Sequence, residues 1–178
     1  MVANANYEIQ KRMVLKGQII NNEESSTFYA LNDFVIDRGK SHRLITLRLK
    51  ANDRYVADYK ADGLIVGTPT GSTAYALSAG GPIVMPKLKA MVVVPISPHT
   101  LNLRPIVLPD DRTLEISFPN DGNDGIAFVV DGQVNQYLDK NSKIIIKKAH
   151  YEIYMIDYKD SNYFDNLQRK MGWGKRGA

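Results

Sequence analysis

The chain contains no cysteine, and this absence excludes several kinds of chemistry at once. Disulfides, thiolate metal sites and cysteine nucleophiles cannot occur, and the composition is compatible with a reducing compartment. We therefore expect a cytoplasmic protein. Its 178 residues fit one domain and are enough to bury a hydrophobic core without covalent staples.

Long apolar runs are also absent. The most apolar stretch, residues 91–96, is far shorter than the roughly 20 residues that a helix needs to cross a bilayer. The first residues mix Asn, Glu, Lys and Arg without an apolar core, which is not the pattern of a signal peptide. We expect no membrane association.

Charge of neither sign dominates, since 23 basic and 19 acidic residues leave a net charge of +4. Nucleic-acid-binding proteins usually combine a basic stripe with a recognition element, and neither a helix-turn-helix pattern nor interleaved aromatic residues occur here. We expect no nucleic-acid partner. A moderately basic cleft for an anionic small molecule accounts for the charge equally well.

Helical periodicity is scarce, and most of the chain consists of short β-branched and aromatic runs between turn residues. The predicted strands cover residues 7–17, 27–37, 43–51, 54–59, 64–67, 91–95, 113–118, 126–130, 142–147 and 151–158. One helix is predicted at residues 73–79, where hydroxyl residues can act as N-caps, and another in the tail, capped by Ser161 and ended by Gly172. The fold class is mainly β: an antiparallel β-sandwich with one short internal helix and a carboxy-terminal helix. We expect residues 1–178 to form a single domain, with residues 160–178 as a helical and aromatic tail.

A loop rich in Gly, Ser and Thr is the most informative stretch, reading DGLIVGTPTGSTAYALSAGGP over residues 62–82. An apolar strand runs into the loop and a helix follows it. Unpaired amides at a helix start attract phosphate or other polar groups, and small residues let a ligand approach the main chain. Composition alone predicts a tight turn with capping hydroxyls equally well. The loop matches neither a Walker P-loop nor a GxGxxG fingerprint.

Several separated motifs resemble the NAD kinase family. They are ADGLIVGTPTGSTAYALSAGGPIV, ALND at residues 30–33, PHTLNLRPIVLP, VVDGQ and YFDNLQRKMGWG, and they stand in family order. The resemblance implies the carboxy-terminal, NAD-binding domain of the NAD kinase and diacylglycerol kinase-like fold. It also implies an enzyme that uses ATP with Mg²⁺ to phosphorylate the 2′-hydroxyl of NAD's adenosine ribose, giving NADP.

The GGDG motif of the family is absent from this chain. In the family that motif lies in an amino-terminal domain and carries the catalytic aspartate, so we expect no catalytic residue here and no activity from the chain alone. The nearest string, DGNDG at residues 121–125, predicts a hairpin turn. Two alternatives stay open: a non-catalytic nucleotide-binding or regulatory module, and a related lipid kinase domain, against which ALND and TPTGSTAY argue.

The resemblance also implies a set of substrate-binding residues: Asn32, Asp33, Asp62, Thr70, Thr73, Ala74, Tyr75, Ser78 and Asp131. The amide of Asn32 can pair with an adenine edge, and the carboxylate of Asp33 can accept from ribose hydroxyls. Asp62 would meet the nicotinamide amide, and Asp131 would approach the site of a neighbouring subunit. Each position has a plain alternative: an Asx turn at Asn32 and Asp33, Asp-Gly turns at Asp62 and Asp131, and core packing for Tyr75.

Other polar residues carry weaker expectations. Lys60 stands where some relatives have arginine, so it is a possible phosphate contact. His42 and His150 have no second ligand at metal-binding spacing, and we expect no metal site. Because family members pair subunits through this half, we expect self-association to a dimer or tetramer.

Overall fold

The computed structural model describes residues 7–21, 24–40, 43–119, 125–139, 141–158 and 162–172. Within these ranges the elements are β1 Tyr7–Asn21, β2 Glu24–Ala30, β3 Asp33–Asp37, β4 Ile45–Ala51, β5 Arg54–Ala61, β6 Gly63–Gly67, α1 Tyr75–Ser78, β7 Ala90–Ile96, β8 Ile106–Pro109, β9 Leu114–Ser117, β10 Ile126–Val130, β11 Gln133–Leu138, β12 Lys143–Tyr158 and α2 Tyr163–Met171. The strands form two six-stranded antiparallel sheets, ordered β2-β1-β12-β9-β4-β5 and β11-β10-β3-β6-β7-β8. The predicted mainly β fold class is confirmed.

The chain divides into two compact units. The larger, Arg12–Glu152, contains all the residues that line the candidate site described below. The smaller takes the beginning of β1, the end of β12 and α2. Inside the smaller unit, the Gln10 amide donates to the Asp157 carboxylate at 2.6 Å, and the Lys11 ammonium lies 5.7 Å from the Tyr154 ring centroid.

The core of the larger unit lies between its two sheets. In β4, buried Ile45, Leu47 and Leu49 alternate with partly exposed residues, as expected for a strand with one face on the core. In contrast, β6 is buried on both faces. A second apolar cluster, which includes Ala76 of α1 and Val84, covers the outer side of β3, β6 and β7. The segment after β6 therefore folds back over its own sheet.

The predicted strands differ from the observed ones in three places. Residues 27–37 are not one strand but two, because the chain bends at Leu31 and Asn32 between β2 and β3. Residues 142–147 and 151–158 belong to one long strand, β12. Strands β8 and β11 were not predicted, since a proline ends the first and polar residues dominate the second.

The helix predictions also need correction. The segment at residues 73–79 is a 3₁₀ turn over Gly71–Thr73 followed by α1, with Ala74 between them at φ −96° and ψ −132°. No side-chain hydroxyl caps either piece. The tail helix α2 is capped by Asn162, whose side-chain oxygen accepts from the Phe164 amide at 3.0 Å, and not by Ser161, which lies outside the described residues. It ends at left-handed Gly172, as predicted.

Candidate functional site

A pocket of about 330 Å³ lies on the outer side of the second sheet, within the larger unit. Its lining residues come from β3, the start of α1, and the end of β10 with the hairpin that follows it: Asn32, Asp33, Val35, Asp37, Ala74, Tyr75, Val129, Asp131 and Gly132. Five of the sequence-predicted binding residues are in this set: Asn32, Asp33, Ala74, Tyr75 and Asp131. The pocket thus joins parts of three separate motifs.

The floor of the pocket follows from strand geometry. Alternate residues of β3 face the same side of the sheet, so Asp33, Val35 and Asp37 share one face. Val129 of β10 pairs with Val35 and makes the centre of the floor apolar. A carboxylate lies at each end of the β3 segment, roughly 13 Å apart at about 3.3 Å per residue.

Asp131 holds the chain bend at one end of the pocket. Its Oδ2 accepts from the Leu31 amide at 2.9 Å, and its Oδ1 accepts from the amides of Asn32 and Asp33 at 2.8 and 3.0 Å. In return the Asp131 amide donates to the Asp33 carbonyl at 3.1 Å. Asp131 and Gly132 also form the two-residue hairpin between β10 and β11, with φ of 46° and 82°. Asp131 therefore belongs both to the Asp-Gly turn and to the candidate site.

Asp33 has an unusual environment for a carboxylate. The residue is 3% exposed. Burial, together with the nearby negative charge of Asp131, raises the pKa of Asp33 to about 6. Burial disfavours the ionised form of an acid, and a like charge disfavours it further. A strongly perturbed acid in a pocket is a recognised mark of a functional site.

The pocket is acidic. Among the described residues that line it, Asp33, Asp37 and Asp131 are acids, and none is Lys or Arg. The expectation of a basic cleft is therefore wrong for this pocket. Such a lining disfavours phosphate groups and favours an uncharged or cationic group with hydrogen-bond donors, packed on an apolar floor.

The hydroxyls of the loop after β6 are used within the fold. The Thr68 hydroxyl donates to the Leu31 carbonyl at 2.6 Å and accepts from the Gly71 amide at 3.0 Å. Ser72 is fully buried, and its hydroxyl bonds the Pro69 carbonyl at 2.7 Å and the Val84 amide at 2.9 Å. These groups hold the loop against the sheet and against the chain bend.

The glycine and the amides of this loop have internal roles too. A Cβ at Gly71 would collide with the Asn32 main chain, whose Cα lies 2.7 Å from the ideal Cβ position. The amides of Ser72 and Ala74 donate to the Pro69 and Gly71 carbonyls at 3.3 and 2.8 Å. Small size at Gly71 therefore admits the protein's own main chain, where we expected a ligand. These amides are not available as the predicted helix-start anion site.

Tyr75 and Ala74 form the wall of the pocket beside its floor. The side chain of Tyr75 is half exposed, at 47%. Core packing is therefore wrong for Tyr75, and its ring is open to a ligand. An exposed aromatic ring next to an apolar floor can stack on a flat heterocycle.

The remaining predicted site residues do not line the pocket. Asp62 connects β5 to β6 and pairs with the Arg38 guanidinium at 3.1 Å. Lys60 is exposed on β5, Ser78 is exposed at the end of α1, and Thr70 and Thr73 are half-buried. The Thr73 hydroxyl donates to the Thr70 carbonyl at 3.3 Å.

Three pocket residues were not predicted as site residues: Val35, Asp37 and Val129. Alternation along β3 could have found the first two, because Asp33 fixes the face that Val35 and Asp37 share. Val129 could not have been found in this way, since its position depends on the pairing of β10 with β3.

Within the described ranges, no group of three or more His, Asp or Glu side chains is arranged to hold a metal ion. A cage of three or more such protein ligands for Mg²⁺ is thus not present among the described residues. No described helix is long and apolar enough to span a membrane.

The family model and the curated relatives that match this chain agree on one family. Residues 31–158 match the family model of the ATP-NAD kinase C-terminal domain. The NAD kinase of Caldanaerobacter subterraneus is 43% identical over 93% of this chain and 58% of its own length. The NAD kinase of Prosthecochloris aestuarii is 40% identical over 97% of this chain and 60% of its own length. The chain thus spans less than two thirds of the curated relatives that it matches.

Two solved structures agree with these sequence matches. Yeast NADH kinase complexed with NADH superposes with a TM-score of 0.89 at 29% identity, over 96% of this chain and 50% of that one. An NAD kinase from Archaeoglobus fulgidus in complex with ATP gives a TM-score of 0.70 at 28% identity, over 90% of this chain and 59% of that one. The chain belongs to the NAD kinase family and corresponds to its C-terminal domain.

Proposed function

We propose that this chain forms the NAD-binding half of an NAD kinase, which transfers the terminal phosphoryl group of ATP to the 2′-hydroxyl of NAD's adenosine ribose. The observation that carries the proposal is the pocket, which places Asn32, Asp33, Tyr75 and Asp131 together. The solved relatives support a nucleotide ligand, since one is complexed with NADH and the other with ATP.

In this proposal the pocket receives the nucleoside portion of NAD. The apolar floor of Val35 and Val129 faces one side of a flat base, and Tyr75 stacks on it. The amide of Asn32 pairs with the base edge, and the carboxylate of Asp33 accepts from ribose hydroxyls. Because the lining is acidic, the diphosphate lies outside the pocket.

The other predicted contacts stay proposals at the pocket's margin. Asp62, held by Arg38, would accept from the nicotinamide amide. Thr70, Thr73 and Ser78 would contact the dinucleotide, and Lys60 would meet a phosphate. Asp131 would also approach the site of a neighbouring subunit.

The reaction itself needs a base and a site for ATP, and we propose that the GGDG-containing domain of the family supplies both. The 2′-oxygen must attack the terminal phosphorus of ATP, ADP must leave, and the hydroxyl proton must pass to a base. Mg²⁺ would neutralise the charge of the ATP phosphates when bound, and the described residues form no group of three or more ligands that would hold it apart from the substrate. We therefore propose that the chain alone binds NAD weakly and has no kinase activity.

The test combines calorimetry with NADP formation followed by a coupled dehydrogenase. We expect weak NAD binding by the chain and turnover lower than that of a full-length relative by more than about 10⁴-fold, because a missing base alone costs about 10² to 10⁴ in rate. Turnover near that of the relative contradicts the proposed inactivity. Failure to bind NAD contradicts the proposed site.

A complementation arm separates the kinase from the alternative of a non-catalytic nucleotide-binding module. The amino-terminal, GGDG-containing portion of a relative is added as a separate polypeptide. Restored NADP formation is expected for an NAD kinase half. NAD binding without restored activity in an assembled complex favours the binding module.

Self-association and a cytoplasmic location complete the proposal. Exposed apolar side chains in the smaller unit, such as Ile9, Tyr154 and Ile156, support a subunit contact. The absence of cysteine supports the location. Light scattering after size exclusion tests the assembly, and a monomer at about tens of micromolar contradicts it.

A further inference from the structure

The carboxylate of Asp131 meets three consecutive main-chain amides, those of Leu31, Asn32 and Asp33, at 2.8 to 3.0 Å. About one hundred residues separate Asp131 from this bend, as the separations of 98 to 100 positions show. A carboxylate has about four lone-pair directions, so three of them are already used. Little capacity is left for a direct bond to a ligand.

The bend lies between two strands, and its main chain is held by groups from elsewhere in the chain, including the Thr68 amide, which donates to the Asn32 carbonyl at 2.8 Å. β2 ends at Ala30 and β3 begins at Asp33, so Leu31 and Asn32 lie between the two strands. The Asp131 carboxylate and the Thr68 hydroxyl, which donates to the Leu31 carbonyl, hold the bend from two sides. The direction of the Asn32 and Asp33 side chains depends on this main chain.

Asp131 also influences Asp33 by its charge. Among the described residues that line the pocket, the ionisable ones are Asp33, Asp37, Asp131 and Tyr75, and none is Lys or Arg. The negative charge of Asp131 is one of the two causes of the raised pKa of Asp33. Asp131 therefore acts on Asn32 and Asp33 through hydrogen bonds to their main chain, and on Asp33 through its charge as well.

We propose that Asp131 is a positioning residue of the nucleotide site: it orients Asn32 and Asp33 toward the nucleoside through the main chain of the bend and does not bind the nucleoside itself. The inference rests on the proposed function, since it names how that same site is built. A positioning role differs from direct contact because substitution of Asp131 then changes the protein before any ligand is added.

The test uses Asp131→Asn in the full 178-residue chain, with NAD as the probe. Asparagine tolerates the left-handed φ of 46°, but one oxygen becomes an amide nitrogen that cannot accept a hydrogen bond. We expect NAD affinity to fall about tenfold, which corresponds to about 1.4 kcal/mol. In the ligand-free protein, the amides of residues 31–33 should exchange faster with solvent, and the Asp33 titration should move to lower pH.

Asp53→Asn is the matched control. Asp53 occupies a two-residue hairpin between β4 and β5, has a left-handed φ of 62°, and does not line the pocket. The same chemical change there should leave NAD affinity, amide exchange at residues 31–33 and the Asp33 titration unchanged.

Asp131→Glu separates geometry from charge and serves if Asp131→Asn does not fold. It keeps the negative charge but displaces the carboxylate, so we expect weaker NAD binding and faster exchange with the Asp33 titration still raised. Affinity in Asp131→Asn within twofold of wild type overturns the inference. Lost affinity with unchanged exchange and titration also overturns it, because that result indicates direct ligand contact. Absence of NAD binding by the wild-type chain contradicts the proposed function itself.

Discussion

The loop at residues 68–72 and the bend at residues 31–33 differ in how they use polar groups. The loop belongs to the longest motif of the sequence, yet Thr68 and Ser72 bond to the fold itself and Gly71 makes room for Asn32. The bend belongs to the short ALND motif, yet Asn32 and Asp33 line the pocket. The residues of a long and unusual motif can therefore be required by the fold as well as by ligand contact.

The largest effect is expected where the two regions touch. Gly71→Ala places a methyl group against the Asn32 main chain, so the loop and the bend must move apart. Overpacking of this kind costs about 1 to 3 kcal/mol, and NAD binding should weaken with it. Urea unfolding measures the loss of stability. Ser25→Ala, an exposed change on β2 away from the pocket, is the control, and a Gly71→Ala stability within about 0.5 kcal/mol of wild type would show that the contact is unimportant.

The second prediction concerns the buried acid of the bend. The pKa of Asp33 rises from 3.8 to about 6 on folding, so the folded state binds the proton more tightly than the unfolded state does. The protonated form stabilises the fold at low pH, and this contribution is lost as pH rises from about 4 through about 6. Asp33→Asn, which cannot ionise, should therefore be more stable than wild type at pH 7 by about 1 to 3 kcal/mol.

Unfolding experiments between pH 4 and pH 7 measure this difference. The gap between Asp33→Asn and wild type should open over that range, whereas Asp53→Asn, at an exposed hairpin position, should give a flat difference. A gap that does not depend on pH would show that Asp33 titrates normally.

The third prediction tests the pocket wall. Tyr75→Ala should weaken NAD binding about tenfold, because stacking of a base on an aromatic ring contributes about 1 to 3 kcal/mol. Its side chain is 47% exposed, so stability should change little. Tyr55→Ala removes an exposed tyrosine that does not line the pocket and should leave affinity unchanged. Equal calorimetric affinities for the two variants would remove Tyr75 from the site.

The smallest effect is expected at the margin of the pocket. Asp62→Asn should weaken NAD binding by about threefold, because its charge is shared with Arg38 in a partly exposed pair. Asp53→Asn, at an exposed hairpin position that does not line the pocket, is the control. Indistinguishable affinities for Asp62→Asn and Asp53→Asn would exclude Asp62 from the site.

The sequence predicted much of the fold because local patterns decide it. Alternation in β4 and the apolar run of β7 appear directly in the residues. The break between β2 and β3 was foreseen only as an alternative, an Asx turn at Asn32 and Asp33, since Leu31 and Asn32 interrupt no hydrophobic pattern strongly. The bend is held by Asp131, a residue about one hundred positions away, and no local signal carries that information.

The candidate site was likewise predicted only where sequence motifs mark its residues. Family motifs selected Asn32, Asp33, Tyr75 and Asp131, and the structure places them in one pocket. The acidic character of the pocket was not predicted, because net charge averages over the whole chain whereas the pocket depends on which strands pair. Asp37 shows this clearly, since nothing but its place in β3 marks it.

Amide NMR during an NAD titration of the wild-type chain tests the central claim most directly. The pocket predicts shifts concentrated at residues 31–33, at Ala74 and Tyr75, and at the hairpin of Asp131 and Gly132. Small shifts are predicted at Asp53 in the β4–β5 hairpin, which is outside the pocket. Shifts centred on that hairpin and away from residues 31–33, or no saturable shifts at all, would contradict the account.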